Sequence, residues 1–297
     1  MQVVLQFSNA TSVKGGCDIS EQQLGGVLQV RSTDAGKSWG DFQSIQTQLE
    51  FPKKPANCLA PTSGQGLVMR PVNGKYGGRL VFCAVRNAYE GDVPVWSDDN
   101  GKTYNYSTGL YLPGLDECNI AQAANGSLFL ISRNCREGNL NKCQMMAAAT
   151  DNDDDDDGDG HDDVSRTSSM DRMSGTGNHH FVYSVSNNGG ETWTAPRDQE
   201  QMLTPVCMGS IISHQGGSDT APALYYSSPY SATARVNLTI LASDDNGATF
   251  SRSLMLWPGA AGYTGLACGL AGKDDCAVLY SGTGGLNFLR FASSEVK

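Results

Sequence analysis

Short apolar runs, each bounded by glycine or polar residues, recur along the chain. Five of them read GGRLVFCAV, GSLFLISR, HHFVYSVS, RVNLTILAS and CAVLYSG, at residues 77–85, 126–133, 179–186, 235–243 and 276–282. They are rich in Val, Leu, Ile, Phe and Tyr, and each is too short for an ordinary helix. The pattern predicts short β-strands separated by turns.

A polar turn of eight residues occurs four times among these runs. The sequences STDAGKSW, SDDNGKTY, SNNGGETW and SDDNGATF occupy residues 32–39, 97–104, 186–193 and 243–250, and we call them the four boxes. Asp or Asn at the third position can accept backbone N–H bonds, and Gly supplies a positive φ. We expect the final aromatic residue to pack into the core between neighbouring β units. One box per unit predicts a β-propeller, in which radial repetition leaves few exposed edges.

Length and composition fit one large all-β domain. The chain has 297 residues, of which 39% are hydrophobic and 35 are Gly, so a single domain over residues 1–297 is expected. No segment approaches the roughly 18 to 20 apolar residues that a membrane span requires. The first residues, MQVVLQFSNATS, lack the basic and apolar regions of a signal peptide. We therefore expect neither a membrane span nor a signal peptide.

The formal net charge of -10 argues against sequence-independent binding of nucleic acid, which requires basic patches. Most of the imbalance lies in DNDDDDDGDGHDD at residues 151–163. We interpret residues 151–178 as an acidic, disordered insertion between strands. Alternate Asp residues from Asp153 also fit the opening of a calcium loop, but Val164 occupies the position where such a loop has Glu. Calcium is therefore the weaker interpretation, and no organic cofactor is expected.

The cysteines do not indicate a metal site by their spacing. Nine Cys are scattered along the chain without the paired spacing of metal ligands, so a zinc site is not expected, and their odd number leaves at least one thiol free. The chain has Asn-x-Ser/Thr acceptor triplets at Asn9, Asn105, Asn125 and Asn237, which would be glycosylated in a secretory pathway. The sequence leaves the compartment open.

Two longer segments carry a family resemblance. RVNLTILASDDNGATF is followed by LWPGAAGYTGLA, and DECNIAQAANGSLFLISRN lies upstream. With these segments the chain resembles the sialidase (neuraminidase) superfamily, and within it the lysosomal sialidase, from about Cys58 to Phe291. The repeated turn of this family is called the Asp-box. The resemblance implies a six-bladed β-propeller. Only a short segment separates Trp39 from Cys58, so we expect part of the first blades to be missing.

The resemblance implies a tyrosine nucleophile at Tyr263, in GAAGYTGLA, and a neighbouring base at Glu117, in LDECN. Sialic acid carries a carboxylate on its anomeric carbon, which would repel an anionic nucleophile but not a neutral phenol. An unperturbed Tyr has a pKa of about 10, so the phenol needs a base to take its proton as it attacks. Sialidases are exceptions to the two-carboxylate scheme of most glycosidases, and double displacement implies retention of configuration.

The resemblance also implies arginine residues that bind the substrate carboxylate. Arg133 and Arg235 match two of the three that the family uses, and Arg presents a planar fork that binds carboxylate with two hydrogen bonds. The chain has no match to the third, which lies before the first Asp-box in the family. Asp18 and Glu21 compete as the general acid/base, and the sequence assigns neither.

These observations predict an exo-α-sialidase that releases terminal sialic acid from a glycoprotein, glycolipid or oligosaccharide, as in ganglioside catabolism. The family implies a lysosomal or secreted protein. A catalytically impaired propeller that binds glycans or acts as a scaffold is the alternative, because the N-terminal residues of the site are incomplete.

Overall fold

The structure is a computed structural model, and it describes residues 3–8, 27–45, 48–49, 59–62, 64–86, 91–107, 114–135, 179–216, 219 and 221–297. Asp18, Glu21 and the acidic insertion at 151–178 lie outside the described residues, as does the calcium interpretation that depends on Asp153. These predictions are therefore not tested by the structure.

Strands account for almost all regular structure in the described ranges. They are β1 Val3–Ser8, β2 Val27–Ser32, β3 Gln43–Ser44, β4 Leu59–Pro61, β5 Leu67–Val68, β6 Leu80–Arg86, β7 Gly91–Ser97, β8 Asn105–Tyr106, β9 Leu115–Gln122, β10 Leu128–Asn134, β11 His180–Ser186, β12 Arg197–Leu203, β13 Ser210–His214, β14 Ala223–Pro229, β15 Val236–Ser243, β16 Arg252–Ala260, β17 Thr264–Cys268, β18 Asp275–Gly282 and β19 Gly285–Ala292. A 3-10 turn, Ser293–Glu295, follows the last strand. No helix in the described part of the chain has the length and apolarity that a membrane crossing requires.

The apolar runs form the strands that their pattern predicts. The run at 77–85 contains most of β6, and those at 126–133, 179–186, 235–243 and 276–282 match β10, β11, β15 and β18. Every residue of β10 is buried, which explains its unbroken hydrophobicity at the start. The prediction of short strands is confirmed for all five runs.

Consecutive strands pair with each other in antiparallel sheets. The orders are β4-β6-β7-β8 with β5 paired to β6, β12-β11-β10-β9, β13-β14-β15-β16 and β17-β18-β19, and β1-β2-β3 form an N-terminal sheet. The first four sheets are blades, and the prediction of six blades is wrong for the described residues. Six blades would leave only about 44 residues each. The strands β13 to β16 alone span residues 210–260, so the sheets use more chain than that estimate allowed.

The chain divides into two compact units, which we describe separately. Unit 1 comprises Met1–Ser132 and Ser184–Pro196, and unit 2 comprises Arg133–Tyr183 and Arg197–Lys297. The described core of unit 1 includes one cluster around Leu59, Val93 and Tyr104 and another around Val81, Ile120 and Leu128. Unit 2 has a cluster in which residues of β14 and β15 pack with residues of β17, β18 and β19. The single domain expected over residues 1–297 stays a prediction.

All four boxes have the same hydrogen bonds. The first residue, Ser, donates its hydroxyl to the side-chain oxygen of the third, Asp or Asn, at 2.8–3.0 Å. It also accepts the N–H of the fifth residue, Gly, at 2.8–2.9 Å. The third residue accepts the N–H of the seventh at 2.8–2.9 Å. The boxes are thus local turns that satisfy their own backbone, as predicted.

The aromatic residues that end the boxes differ in burial. Tyr104 and Phe250 are buried, with 7% and 4% of their surface exposed, and Trp193 packs against a core cluster of unit 1. Trp39 is 40% exposed, so the prediction that it enters the core is wrong. A Cβ placed on Gly36 would lie 3.7 Å from the Trp39 ring. This indole therefore lies against the glycine of its own turn instead of a buried cluster.

Candidate active site

Tyr263 lies on the short segment between β16 and β17, where hydrogen bonds to β18 hold its backbone. The N–H of Gly262 donates to the carbonyl of Ser281 at 2.6 Å, and the N–H of Ser281 donates to the carbonyl of Tyr263 at 3.0 Å. A Cβ on Gly262 would meet the Ser281 hydroxyl, so a larger residue there would require the Ser281 side chain to move. The backbone of Tyr263 is therefore fixed on both sides.

The residue after Tyr263 is anchored to a neighbouring strand. The hydroxyl of Thr264 donates to the carbonyl of Ser227 in β14 at 2.9 Å, and the hydroxyl of Ser227 donates to the Thr264 hydroxyl at 2.9 Å. Both residues are buried, with 4% and 0% of their surface exposed. Buried hydroxyl groups with good partners favour a single arrangement of the chain, so they restrict the position of Tyr263 as well.

Arg133 contacts the phenol of Tyr263. Its Nη1 donates a hydrogen bond to the Tyr263 oxygen at 3.2 Å, between residues 130 positions apart in sequence. Arg133 lies near the end of β10, and only 1% of its surface is exposed. A guanidinium is rarely buried to this extent unless it is held by partners, and its charge persists at every relevant pH. The structure thus brings Arg133 and Tyr263 together within unit 2, and their roles in catalysis stay predictions.

Arg235 lies on another side of the same ring. Its guanidinium carbon is 5.4 Å from the centroid of the Tyr263 ring, within the range of a cation–π contact. Its carbonyl accepts the N–H of Ala261 at 2.7 Å, which ties the start of β15 to the segment that carries Tyr263. Two guanidinium groups at one phenol form an arrangement that can attract an anionic ligand or stabilise negative charge developing on oxygen.

Glu117 lies in β9 with a left-handed backbone conformation, at φ of 54°. A non-glycine residue in this region stores strain of roughly 1–3 kcal/mol, and such strain is concentrated at functional sites. Its neighbours hold the backbone in place: Cys118 forms a disulfide with Cys83, and the carbonyl of Cys118 accepts the Thr62 hydroxyl at 2.7 Å. Glu117 belongs to unit 1 and Tyr263 to unit 2, so the interaction of these two side chains stays a prediction.

A buried carboxylate that sequence reasoning missed lies in unit 1. Only 2% of the surface of Asp92 is exposed, and its Oδ2 accepts a hydrogen bond from the hydroxyl of Ser132, the residue before Arg133. An ionised carboxylate in such surroundings requires strong hydrogen bonds. One feature of the sequence could have identified it. Asp92 lies inside the apolar strand GDVPVWS, and both Asp92 and its apolar neighbours are buried.

Comparisons with known proteins identify the fold. No family model matches the chain. A sialidase from Micromonospora viridifaciens is 26% identical over 243 residues, which are 79% of this chain and 30% of that protein. The solved structure of the Hadza microbial sialidase Hz136 has a TM-score of 0.69 at 21% identity and covers 100% of this chain and 50% of its own.

A second solved structure, the intramolecular trans-sialidase from Ruminococcus gnavus, has a TM-score of 0.66 at 18% identity and covers 91% of this chain and 51% of its own. The chain thus spans about half the length of these two structures, and less of the curated relative. The special likeness to the lysosomal sialidase stays a prediction. Together the comparisons support a relation to the sialidase superfamily, and they show that the chain has the fold of a sialidase-like all-β propeller.

Proposed function

We propose that the protein is an exo-α-sialidase, a glycoside hydrolase that removes terminal sialic acid with retention of configuration. One observation carries the proposal: Arg133 and Arg235 both contact the phenol of Tyr263 within a sialidase-like fold. A structural tyrosine has no need of two cations, whereas a site for an anionic sugar does. The substrates would be sialylated glycoproteins, glycolipids such as gangliosides, or oligosaccharides.

In the proposed reaction the two arginines bind the carboxylate of sialic acid beside Tyr263. The phenol oxygen attacks the anomeric carbon while Glu117 accepts its proton, and the glycosidic oxygen leaves with a proton from a general acid, Asp18 or Glu21. Water then attacks the same carbon and gives a proton to the carboxylate that acted as the acid, while the bond to the Tyr263 oxygen breaks and this oxygen takes its proton back from Glu117. Two displacements at one carbon give retention. The reaction requires no organic cofactor.

A catalytically impaired propeller that binds glycans or acts as a scaffold is the second candidate. It is favoured by the low identity to known sialidases, because a fold can be kept without every residue of a catalytic site. Loss of one charge-assisted contact weakens binding by about 1.5–3 kcal/mol, and loss of a general acid slows leaving-group departure about a hundredfold to ten-thousandfold.

We also propose an oxidising compartment, lysosomal or extracellular. Disulfides join Cys83 to Cys118 in unit 1 and Cys268 to Cys276 in unit 2. Structural disulfides persist in secreted and luminal proteins and are rare in the cytosol. The four acceptor triplets for N-glycosylation agree with this route.

The decisive experiment compares hydrolysis of a fluorogenic aryl sialoside with hydrolysis of sialyllactose. An aryl leaving group departs with little protonation, so an enzyme with a complete site cleaves both substrates, whereas one without its general acid cleaves chiefly the aryl substrate. Binding of sialic acid without hydrolysis of either compound would establish the impaired propeller. The absence of both binding and hydrolysis would refute the sialidase and the glycan-binding propeller and would leave the scaffold.

A further inference from the structure

Three potential metal ligands meet in unit 2, away from the segment that carries Tyr263. His214 ends β13, Cys268 ends β17 and Cys276 lies near the start of β18. One ligand atom from each, the histidine nitrogen and the two sulfurs, lies within 4.8 Å of the other two. Sequence spacing did not predict this group, because His214 is far from the cysteines in sequence and only the fold brings it to them.

The two cysteines face each other directly across a strand pair. Cys268 is the register partner of Cys276, their Cα atoms are 4.0 Å apart, and the sulfurs form a disulfide. Five paired positions between β17 and β18 hold the strands together, so the two sulfurs stay neighbours when their bond is broken. Ligand atoms around a tetrahedral zinc ion lie roughly 3.5 Å apart. The three donors are therefore close enough to reach one ion once the sulfur–sulfur bond is broken.

The hydrogen bond of His214 prepares its ring as a ligand. Nε2 lies 2.6 Å from the carbonyl oxygen of Lys273, which can only accept, so Nε2 carries the proton. With the proton on Nε2, Nδ1 is the ring nitrogen that can bind a metal. Histidines that bind metals almost always donate their other ring N–H to a carbonyl or a carboxylate, which fixes the tautomer and the ring orientation.

The three side chains are the metal donors of the proposed site, and one side of the group is open to solvent. Cys276 is fully buried, whereas Cys268 and His214 are partly exposed, so water can occupy a fourth position. The neighbouring carboxylate of Asp275 is engaged by Arg290, whose Nη2 lies 2.6 Å from it. Two thiolates and one imidazole are donors that zinc prefers over harder cations.

We propose that reduction of the Cys268–Cys276 disulfide opens a zinc site formed by His214 and the two thiolates. A dithiol or phosphine supplies two electrons and is itself oxidised, and the sulfur–sulfur bond becomes two thiols. Zinc then displaces one proton from each thiol, so the charges of the two thiolates and the ion cancel. The ion replaces the covalent bond as the link between β17 and β18, and it adds β13 to that link.

The test uses Co²⁺ as a spectroscopic probe for zinc on the full chain, before and after reduction with a phosphine. We expect a thiolate-to-cobalt charge-transfer band with one equivalent of Co²⁺ in the reduced protein and none in the oxidised protein. His214→Ala should weaken binding at least about tenfold, since even the loss of a residue that only supports a ligand costs about that much. The matched control is the Cys83→Ser/Cys118→Ser double variant, which lacks the other described disulfide and should bind Co²⁺ as the wild type does.

Three results would overturn the proposal: a reduced wild type without the band, equal affinity in His214→Ala, or loss of the band in the Cys83→Ser/Cys118→Ser variant. Circular dichroism of each reduced protein shows whether that protein is folded during the titration. A second measurement uses protection: zinc should slow alkylation of Cys268 and Cys276, identified by peptide mass spectrometry. Equal alkylation rates with and without zinc would also reject the site.

Discussion

The box at residues 243–250 and the segment around Tyr263 are two polar turns of unit 2 that use their side chains in opposite ways. In the box, Ser243 and Asp245 bond to each other and to N–H groups within a few residues. The phenol of Tyr263 instead receives a hydrogen bond from Arg133, 130 residues away in sequence. One turn closes on itself, and the other collects groups from distant strands.

This difference separates a structural device from a candidate site. The box hydrogen bonds are repeated four times with nearly the same distances, and each set satisfies local backbone groups. The described chain repeats neither the Tyr263 segment nor its two guanidinium contacts, one with the phenol oxygen and one with the ring. Repetition therefore indicates a role in folding, whereas convergence of distant charges indicates chemistry.

The largest expected effect comes from Tyr263→Phe. This change removes the attacking oxygen and keeps the ring, so hydrolysis of an aryl sialoside should fall by about a hundredfold or more while the melting temperature changes little. The matched control is Tyr230→Phe, at an exposed tyrosine of the same unit, which should keep wild-type activity. A folded Tyr263→Phe variant with near wild-type turnover would show that Tyr263 is not the nucleophile.

Arg133→Lys should have the next largest effect on activity. Lysine keeps the charge but loses the planar fork, and a lost charge-assisted hydrogen bond costs about 1.5–3 kcal/mol, or roughly ten- to a hundredfold in substrate binding. Arg290→Lys serves as the control, because Arg290 forms an exposed ion pair with Asp275. Equal KM values for the two variants would show that Arg133 does not bind the substrate.

Ser243→Ala tests the other side of the comparison. The Ser243 side chain is buried and accepts the N–H of Gly247, so its removal leaves a buried donor without a partner and should lower the free energy of unfolding by about 1–3 kcal/mol. Activity per folded molecule should not change. Ser253→Ala, at an exposed position of the same unit, should leave stability nearly unchanged. A Ser243→Ala variant that keeps its stability but loses activity would show that the box has a functional role.

The smallest expected effect is on the melting temperature at acidic pH. The Ser38 hydroxyl and then the Ser38 N–H hold the pKa of Asp34 at about 2, and the Thr103 hydroxyl lowers the pKa of Asp99 in the same way. A lowered pKa in the folded state adds stability above the unfolded value of about 3.9, and this is lost as the pH falls toward the folded value. Asp99→Asn, which copies Asn188 of another box, should therefore reduce the loss of melting temperature below pH 4. An unchanged pH profile would contradict this explanation.

Local patterns made much of this fold predictable from the sequence. The apolar run at 235–243 and the turn at 243–250 carry their structure in neighbouring residues, so alternation and turn chemistry were sufficient. The number of blades depends on how much chain the loops consume, which no local pattern records. The prediction that Trp39 is buried was wrong for a related reason, since the burial of an aromatic residue depends on what packs over it.

Some residues of the candidate site and its surroundings could be identified from the sequence, and others could not. Tyr263, Arg133 and Arg235 were recognisable only through longer segments that resemble a family, and the structure brings these three together. Asp92 was overlooked because a single Asp in an apolar strand has no partner in the local sequence. His214 and its two cysteines were missed because their proximity arises from three strands.

The central claim is that the oxygen of Tyr263 attacks the anomeric carbon of sialic acid. A sialosyl fluoride with a second fluorine beside the anomeric carbon tests it most directly, because fluoride leaves without protonation and the second fluorine slows hydrolysis of the covalent intermediate. The result does not depend on whether Asp18 or Glu21 supplies the acid. We expect one sialosyl adduct on the peptide that contains Tyr263, found by mass spectrometry, and none in Tyr263→Phe. An adduct on another residue, or turnover without any adduct in the wild type, would contradict the account.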